Sequence, residues 1–241
     1  MKLGIMQPYF VPYLGYWQLL NAVDNYVIFD DVNYINRGWI NRNRILVQGM
    51  PHFWTLPCLE LSQNKKINEI KRSRDDKQMV RMLRTIEQNY KKAPYFSTIY
   101  PMMEHLLLCE ELLLSKFLER SIRMICNYLG IETRLLVSSE IPQESGKKGQ
   151  ERILSLCKQL SATEYYNAIG GQSLYSFDRF ETENIKLSFV KPELPAYPQL
   201  SKEFAPGLSI VDVLMMNSVE DVRQMLKQYH LITGGEIHAP K

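Results

Sequence analysis

Cysteine and histidine are scarce and scattered in this 241-residue chain. Cys58, Cys109, Cys126 and Cys157 make no disulfide framework, and His52, His105, His230 and His238 form no ligand-spaced pair with them or with one another. Reduced, mostly buried thiols and no metal site are therefore expected. No apolar run approaches the roughly 18 residues of a membrane span. The first residues carry no charged-then-apolar signal pattern, so a cytoplasmic protein is expected. Internal repeats and low-complexity tracts are also missing, and the net charge is only +3. That balance hides one basic stretch: Lys65 to Lys92 holds ten Lys or Arg against four Asp or Glu. It reads either as the solvated face of a helix with a Met79, Met82, Leu83, Ile86 stripe, or as a funnel for a phosphorylated ligand. It lacks the interleaved aromatics of a single-strand platform, so nucleic acid is disfavoured as a partner.

What the chain does have is a dense opening segment. Lys2 to Gln7 and Tyr26 to Phe29 are short apolar runs suited to buried strands, and Gly15 to Val23 places Tyr16, Leu19, Leu20 and Val23 at helical spacing between them. This is a βαβ unit. With 45% hydrophobic residues, the chain can fold as a single α/β domain over 1–241. The expected fold is a Rossmann-like, nucleotidyltransferase- or HUP-like parallel sheet interrupted by an antiparallel hairpin, Ile45 to Val47 against His52 to Leu56. Residues 75–130 read as a mainly helical subregion, 207–230 as closing helices with the second running from Val219 to Tyr229, and Arg134 to Val137, Glu164 to Asn167 and Ile185 to Val190 as further strands.

In parallel sheets, ligands gather beyond the carboxyl ends of the strands. Here those ends carry Gln7 to Tyr13 and then Asp30 and Asp31. The prolines Pro8 and Pro12 stiffen an aromatic loop, and Gly15 brings backbone amides close at a helix start, an arrangement that suits anions. The spacing resembles the His-x-Gly-His pattern of nucleotidyltransferases and class I synthetases, with Tyr13 and Tyr16 in place of the histidines. Tyrosines donate hydrogen bonds but bring no positive charge, which weakens the parallel with nucleotidyl transfer. Asp30 and Asp31 point to opposite sides of a strand end, so one of them faces the cleft as a candidate base or sugar ligand, or else serves as a cap or a partner for Arg37 or Arg42. Arg37, Trp39, Asn41, Arg42 and Arg44 offer guanidinium forks and a stacking face for a pyrophosphate and a ring, or a structural ion-pair network. Gly170, Gly171, Ser173 and Tyr175 follow a predicted strand, and Lys147, Lys148 and Gly149 precede a helix; both are weak phosphate signals. Tyr197, Gln199 and Phe204 lie on an extended run that could serve as a lid over the cleft or as a brace for the last helices.

Taken together, MQPYF-x-PY-x-GY-x-QL, DDV-x-YI-x-RGWINRNRI, GGQSLY and PAYPQLSKEFAPGLSIVDVL resemble the WbqC-like protein family from about Lys2 to Leu214. The resemblance implies a protein of bacterial surface-polysaccharide (O-antigen) biosynthesis. It maps characteristic positions onto Gln7, Pro8, Tyr9, Pro12, Tyr13, Gly15, Tyr16, Asp30, Asp31, Arg37, Trp39, Asn41, Arg42, Gly170, Gly171, Tyr175, Tyr197, Gln199, Phe204, Ser209 and Asp212. The expected activity is transfer of an acyl or aminoacyl group to a nucleotide-linked sugar, with Tyr13, Tyr16, Asp30 and Asp31 as catalytic candidates and a phosphorylated small molecule as partner. Two alternatives stand beside it: a nucleotidyltransferase or ligase consuming a nucleoside triphosphate, and a non-catalytic protein that binds a sugar nucleotide or a partner. The sequence specifies no cofactor and no oligomeric state.

Overall fold

The computed structural model describes residues 1–142 and 146–234; His238 lies outside them. The chain opens with β1 (Lys2–Met6), α1 (Leu14–Asn21) and β2 (Asn25–Ile28), then forms the hairpin β3 (Arg42–Val47) and β4 (Met50–Thr55). A two-stranded ribbon, β5 (Cys58–Leu59) with β6 (Lys71–Arg72), leads into α2 (Asp76–Tyr90), α3 (Phe96–Leu107) and α4 (Leu114–Leu129). The chain then returns to the main sheet through β7 (Arg134–Val137), α5 (Gly149–Gln159), β8 (Glu164–Ala168), α6 (Phe177–Glu181) and β9 (Lys186–Pro192). It closes with α7 (Ile210–Met216), α8 (Val219–Met225) and β10 (Tyr229–Thr233).

The main sheet runs in the order β10-β9-β8-β1-β2-β7. All pairings are parallel except β10 against β9. Because β1 connects to β2 on one side while β7 connects across to β8 on the other, the connections reverse direction between β1 and β8. Alternation along the strands serves two cores. Leu3, Ile5, Val27, Tyr165, Leu187 and Phe189 point into the layer beneath α5 and α6, whereas Tyr26, Ile28 and Tyr166 point to the larger core with α1 and the helices of the middle and end.

The helices follow from their residues. In α4, Leu114, Phe117, Leu118, Ile122, Ile125 and Leu129 recur at three- and four-residue steps and are all buried. Gly130, at φ +64°, ends it in the left-handed conformation that glycine adopts without strain. Asp75 begins α2 by accepting from the Lys77 amide at 2.9 Å.

The end of the chain differs from the expected helix to Tyr229. α8 stops at Met225 because Gln18, buried on α1, donates its side-chain amide to the carbonyls of Met225 and Gln228, each at 2.8 Å. The following residues are thereby released to pair with β9 as an edge strand. Between α3 and α4 the chain is not helical, because Arg72 takes the carbonyls of Leu107, Cys109 and Glu111 at and beyond the end of α3.

Candidate functional site

Beyond the carboxyl ends of the strands lies a cleft of about 760 Å³. Phe29, Asp31, Lys66, Lys148, Arg152 and Tyr175 are among the residues that line it. Four cations, Lys66, Lys147, Lys148 and Arg152, face one carboxylate, Asp31. The start of α5 opens onto the same space, and Gly149 turns the chain into that helix at φ +51°. A helix start of this polarity attracts anions.

The two successive carboxylates divide as strand geometry requires. Asp30 is buried and accepts from the Ser139 amide at 2.9 Å and the Ser139 hydroxyl at 2.7 Å, which ties the end of β2 to the turn after β7. Asp31 turns to the other side and pairs with Arg152 at 2.5 Å. The Arg152 guanidinium lies 4.5 Å over the ring of Phe29, so the cation is held in place by both partners.

Lys66 reaches the cleft by backbone stitching. The amides of Ile67 and Asn68 donate to the carbonyls of Val32 and Asp30, and Asn33 bridges to Lys66. The basic stretch Lys65 to Lys92 includes this residue, but nothing in the sequence places it beside Asp31, 35 positions away. Arg152 was also missed, although its place three residues into a helix opened by Lys148 and Gly149 could have suggested it. Tyr175 lines the cleft with its ring set edge-on to Tyr165 at 5.7 Å, and burial pushes its hydroxyl pKa up. Ahead of it the Gly170–Gly171–Ser173 segment is a 3-10 turn, Ile169–Leu174, in which neither glycine needs a left-handed φ. Gly171 packs where a Cβ would stand 2.8 Å from the Asn167 side-chain nitrogen.

The N-terminal aromatic loop lies on the α1 face. Tyr16 is buried among Tyr9, Trp17 and Tyr26, and its hydroxyl donates to the Gln7 carbonyl at 3.3 Å. Burial raises the hydroxyl pKa of Tyr9, Tyr13 and Tyr16 alike. The room left by Gly15 is occupied by the ring of Tyr13, since a Cβ there would stand 2.5 Å from Tyr13 Cε2. Across the start of α1 the Ile210 amide donates to the Pro12 carbonyl at 2.9 Å, and the Ser209 hydroxyl to the Val11 carbonyl at 2.6 Å. The segment before α7 therefore covers that helix start, and Pro8 is buried in the same loop.

Asn41 is internal: its side chain accepts from Tyr34 at 2.8 Å and donates to the Leu56 carbonyl at 3.0 Å. Arg42 braces its own turn through the carbonyls of Arg37 and Gly38. Arg37 and Trp39 stand at the surface of the hairpin module. Tyr197 and Gln199 converge instead on Asp212, at 2.6 and 3.3 Å.

Among the described residues no helix is long and apolar enough to cross a membrane, and no group of three or more His, Cys, Asp or Glu is disposed to hold a metal. The model of the WbqC-like protein family matches residues 7–224. The chain is 33% identical over 216 residues to a Mycobacterium tuberculosis protein named "Uncharacterized protein Rv1507c", covering 88% of this chain and 92% of that one. No solved structure matches the chain. With the family model spanning most of its length and that relative aligned nearly end to end, the chain belongs to the WbqC-like protein family.

Proposed function

We propose that this chain is a transferase of bacterial surface-polysaccharide synthesis that binds a nucleotide-linked sugar in the cleft at Asp31 and Arg152 and places an acyl or aminoacyl group on it. The observation that carries this reading is the four-cation cleft at the start of α5. Counting only parallel strands in chain order, the sheet reads 3-2-1-4-5, the Rossmann-like arrangement whose ligands sit beyond the strand ends near the reversal.

In this reading Lys66, Lys148 and Arg152 hold the diphosphate, and Tyr175 borders the sugar or base. Asp31 takes the proton from the sugar hydroxyl or amine as that group attacks the acyl carbonyl, and the donor's leaving group departs. A phosphate competing for Arg152 would loosen the Asp31 ion pair, coupling ligand arrival to the base. The covered start of α1 and the buried Tyr16 give less support to the nucleotidyltransferase reading, in which that helix start would hold phosphates.

Isothermal titration with nucleoside-diphosphate sugars tests the proposal. Binding should weaken about tenfold or more in Arg152→Ala and in Lys148→Ala, as loss of a charged phosphate contact implies. Unchanged affinity in both folded variants, or no binding of any nucleoside diphosphate sugar, would overturn it.

A further inference from the structure

The hairpin module carries a surface that the cleft does not use. From Val32 to Cys58 the chain contains Arg37, Arg42 and Arg44 and not one Asp or Glu. The same stretch exposes large apolar side chains: Ile35 is 50% exposed, Trp39 41% and Phe53 54%. These are joined into one patch. Ile35 packs against Gly38, Trp39 lies 6.1 Å from Phe53, and Arg42 sits 4.2 Å over the Phe53 ring. Arg44 lies 6.0 Å over Trp39 and anchors the other side through the carbonyls of Pro206 and Gly207.

The arrangement decides which partner fits. A base or sugar that stacks needs an open ring face, yet Phe53 has Arg42 on one side and Trp39 against it, and Trp39 has Arg44 above it. What remains exposed is aromatic carbon already partnered by guanidinium groups, the aliphatic Ile35 and positive charge on a stretch, Val32 to Cys58, that carries no acid. An anionic phospholipid surface matches all three, because its phosphates meet guanidinium groups at the depth where apolar side chains meet acyl carbons. We infer that the face formed by Ile35, Arg37, Trp39 and Phe53 docks the protein peripherally on an anionic lipid bilayer.

Co-sedimentation of the full chain with vesicles tests this independently of the cleft. Phosphatidylglycerol-containing vesicles should retain the protein, vesicles of phosphatidylcholine alone should not, and raised salt should release it. Phe53→Ser should reduce the bound fraction, and Arg37→Glu should lower the partition coefficient about fivefold or more, as loss of one interfacial cation implies. Arg37 is exposed and makes no side-chain hydrogen bond or ion pair among the described residues, so its exchange leaves the fold intact if Phe53→Ser does not. Equal retention by both vesicle types, no retention by either, or retention unaffected by both substitutions would overturn the inference, as would preferential binding of single-stranded RNA lost in the same variants. Lys148→Ala and Arg152→Ala should leave vesicle binding unchanged, which separates failure of this inference from failure of the cleft reading.

Discussion

Asp212 is a fully buried carboxylate without a cationic partner among the described residues, and its replacement by Asn should leave a signature in pH as well as in stability. It accepts from Tyr90 at 2.7 Å, Tyr197 at 2.6 Å and Gln199 at 3.3 Å, and Tyr90 in turn accepts from the Leu46 amide at 2.8 Å. One side chain on α7 thus joins α2, β3 and the segment between β9 and α7. Burial raises the Asp212 pKa above its ordinary 3.8, and the three hydrogen bonds only partly oppose this. The folded chain therefore keeps a proton that the unfolded chain has already released. From the ordinary value up to the raised one, each increase in pH weakens folding; above the raised value the loss is complete.

Asp212→Asn keeps the shape and removes the titration. Its amide offers one acceptor oxygen where the carboxyl offered two, so about one neutral hydrogen bond is lost, or about 1 kcal/mol near pH 4. That corresponds to a fall in Tm of about 2–4 °C for a chain of this size. The deficit should shrink as pH rises, because only the wild type bears the burial of an ionised group. Asp212→Ala, by contrast, strands the Tyr90 and Tyr197 hydroxyls, at about 1–3 kcal/mol each. Urea unfolding of the three proteins between pH 4 and pH 8 measures all of this. A deficit for Asp212→Asn that stays constant or grows with pH would refute the argument, since growth would mean that the folded state favours the ionised form.

Three further outcomes rest on single contacts. Arg72→Met removes a buried guanidinium that serves the carbonyls of Leu107, Cys109 and Glu111 and covers Phe117 at 4.6 Å; a loss of about 3–5 kcal/mol is expected in chemical denaturation, and a loss below about 1 kcal/mol would show that water replaces it. Gly15→Ala drives a methyl group into the Tyr13 ring and should cost about 1–3 kcal/mol; most of that cost should vanish in a Tyr13→Ala background, and a double-mutant cycle without such coupling would reject the contact as its cause. Burial pushes the thiols of Cys58, Cys126 and Cys157 up to about 12, so a disulfide reagent at pH 8 should leave all three unmodified in the folded protein and label them after unfolding. Rapid native-state labelling of Cys126 or Cys157 would contradict its burial, and rapid labelling of the half-buried Cys58 would contradict its raised pKa.

The parts of the fold that were legible in the sequence are those written in local spacing. Leu3 and Ile5 alternate with Gly4 in β1, and Tyr16, Leu19 and Leu20 repeat every three or four residues on α1; Ile45 to Val47 pairs in the expected hairpin, although its strands run further, to a tight turn at Gln48 and Gly49. Val219, Val222, Leu226 and Tyr229 also keep helical spacing, yet the helix ends early. Its last carbonyls are taken by Gln18, about 200 residues away, and the apolar residues beyond it gain more by pairing with β9. Local period cannot register a cap supplied from another element.

The same distinction separates the cleft residues that the sequence exposed from those it concealed. Asp31, Lys148 and Gly149 each follow a strand or precede a helix, where position alone directs a side chain or an amide toward the strand ends. Lys66 arrives because a 3-10 turn is hydrogen-bonded onto residues 30–33, and Arg152 because α5 packs Ile153, Leu156 and Cys157 beneath the sheet and thereby turns the preceding side chain over Phe29. Tyr16 shows the converse. Its place on the apolar face with Leu19, Leu20 and Val23 describes its surroundings better than its position in a His-x-Gly-His-like spacing, because burial of a ring outweighs the few hydrogen bonds that its hydroxyl could offer a ligand. Where a motif position and an apolar stripe compete for one residue, the area removed from water decides: Tyr16 enters the core, while the cations of the cleft gather at the start of the fifth helix.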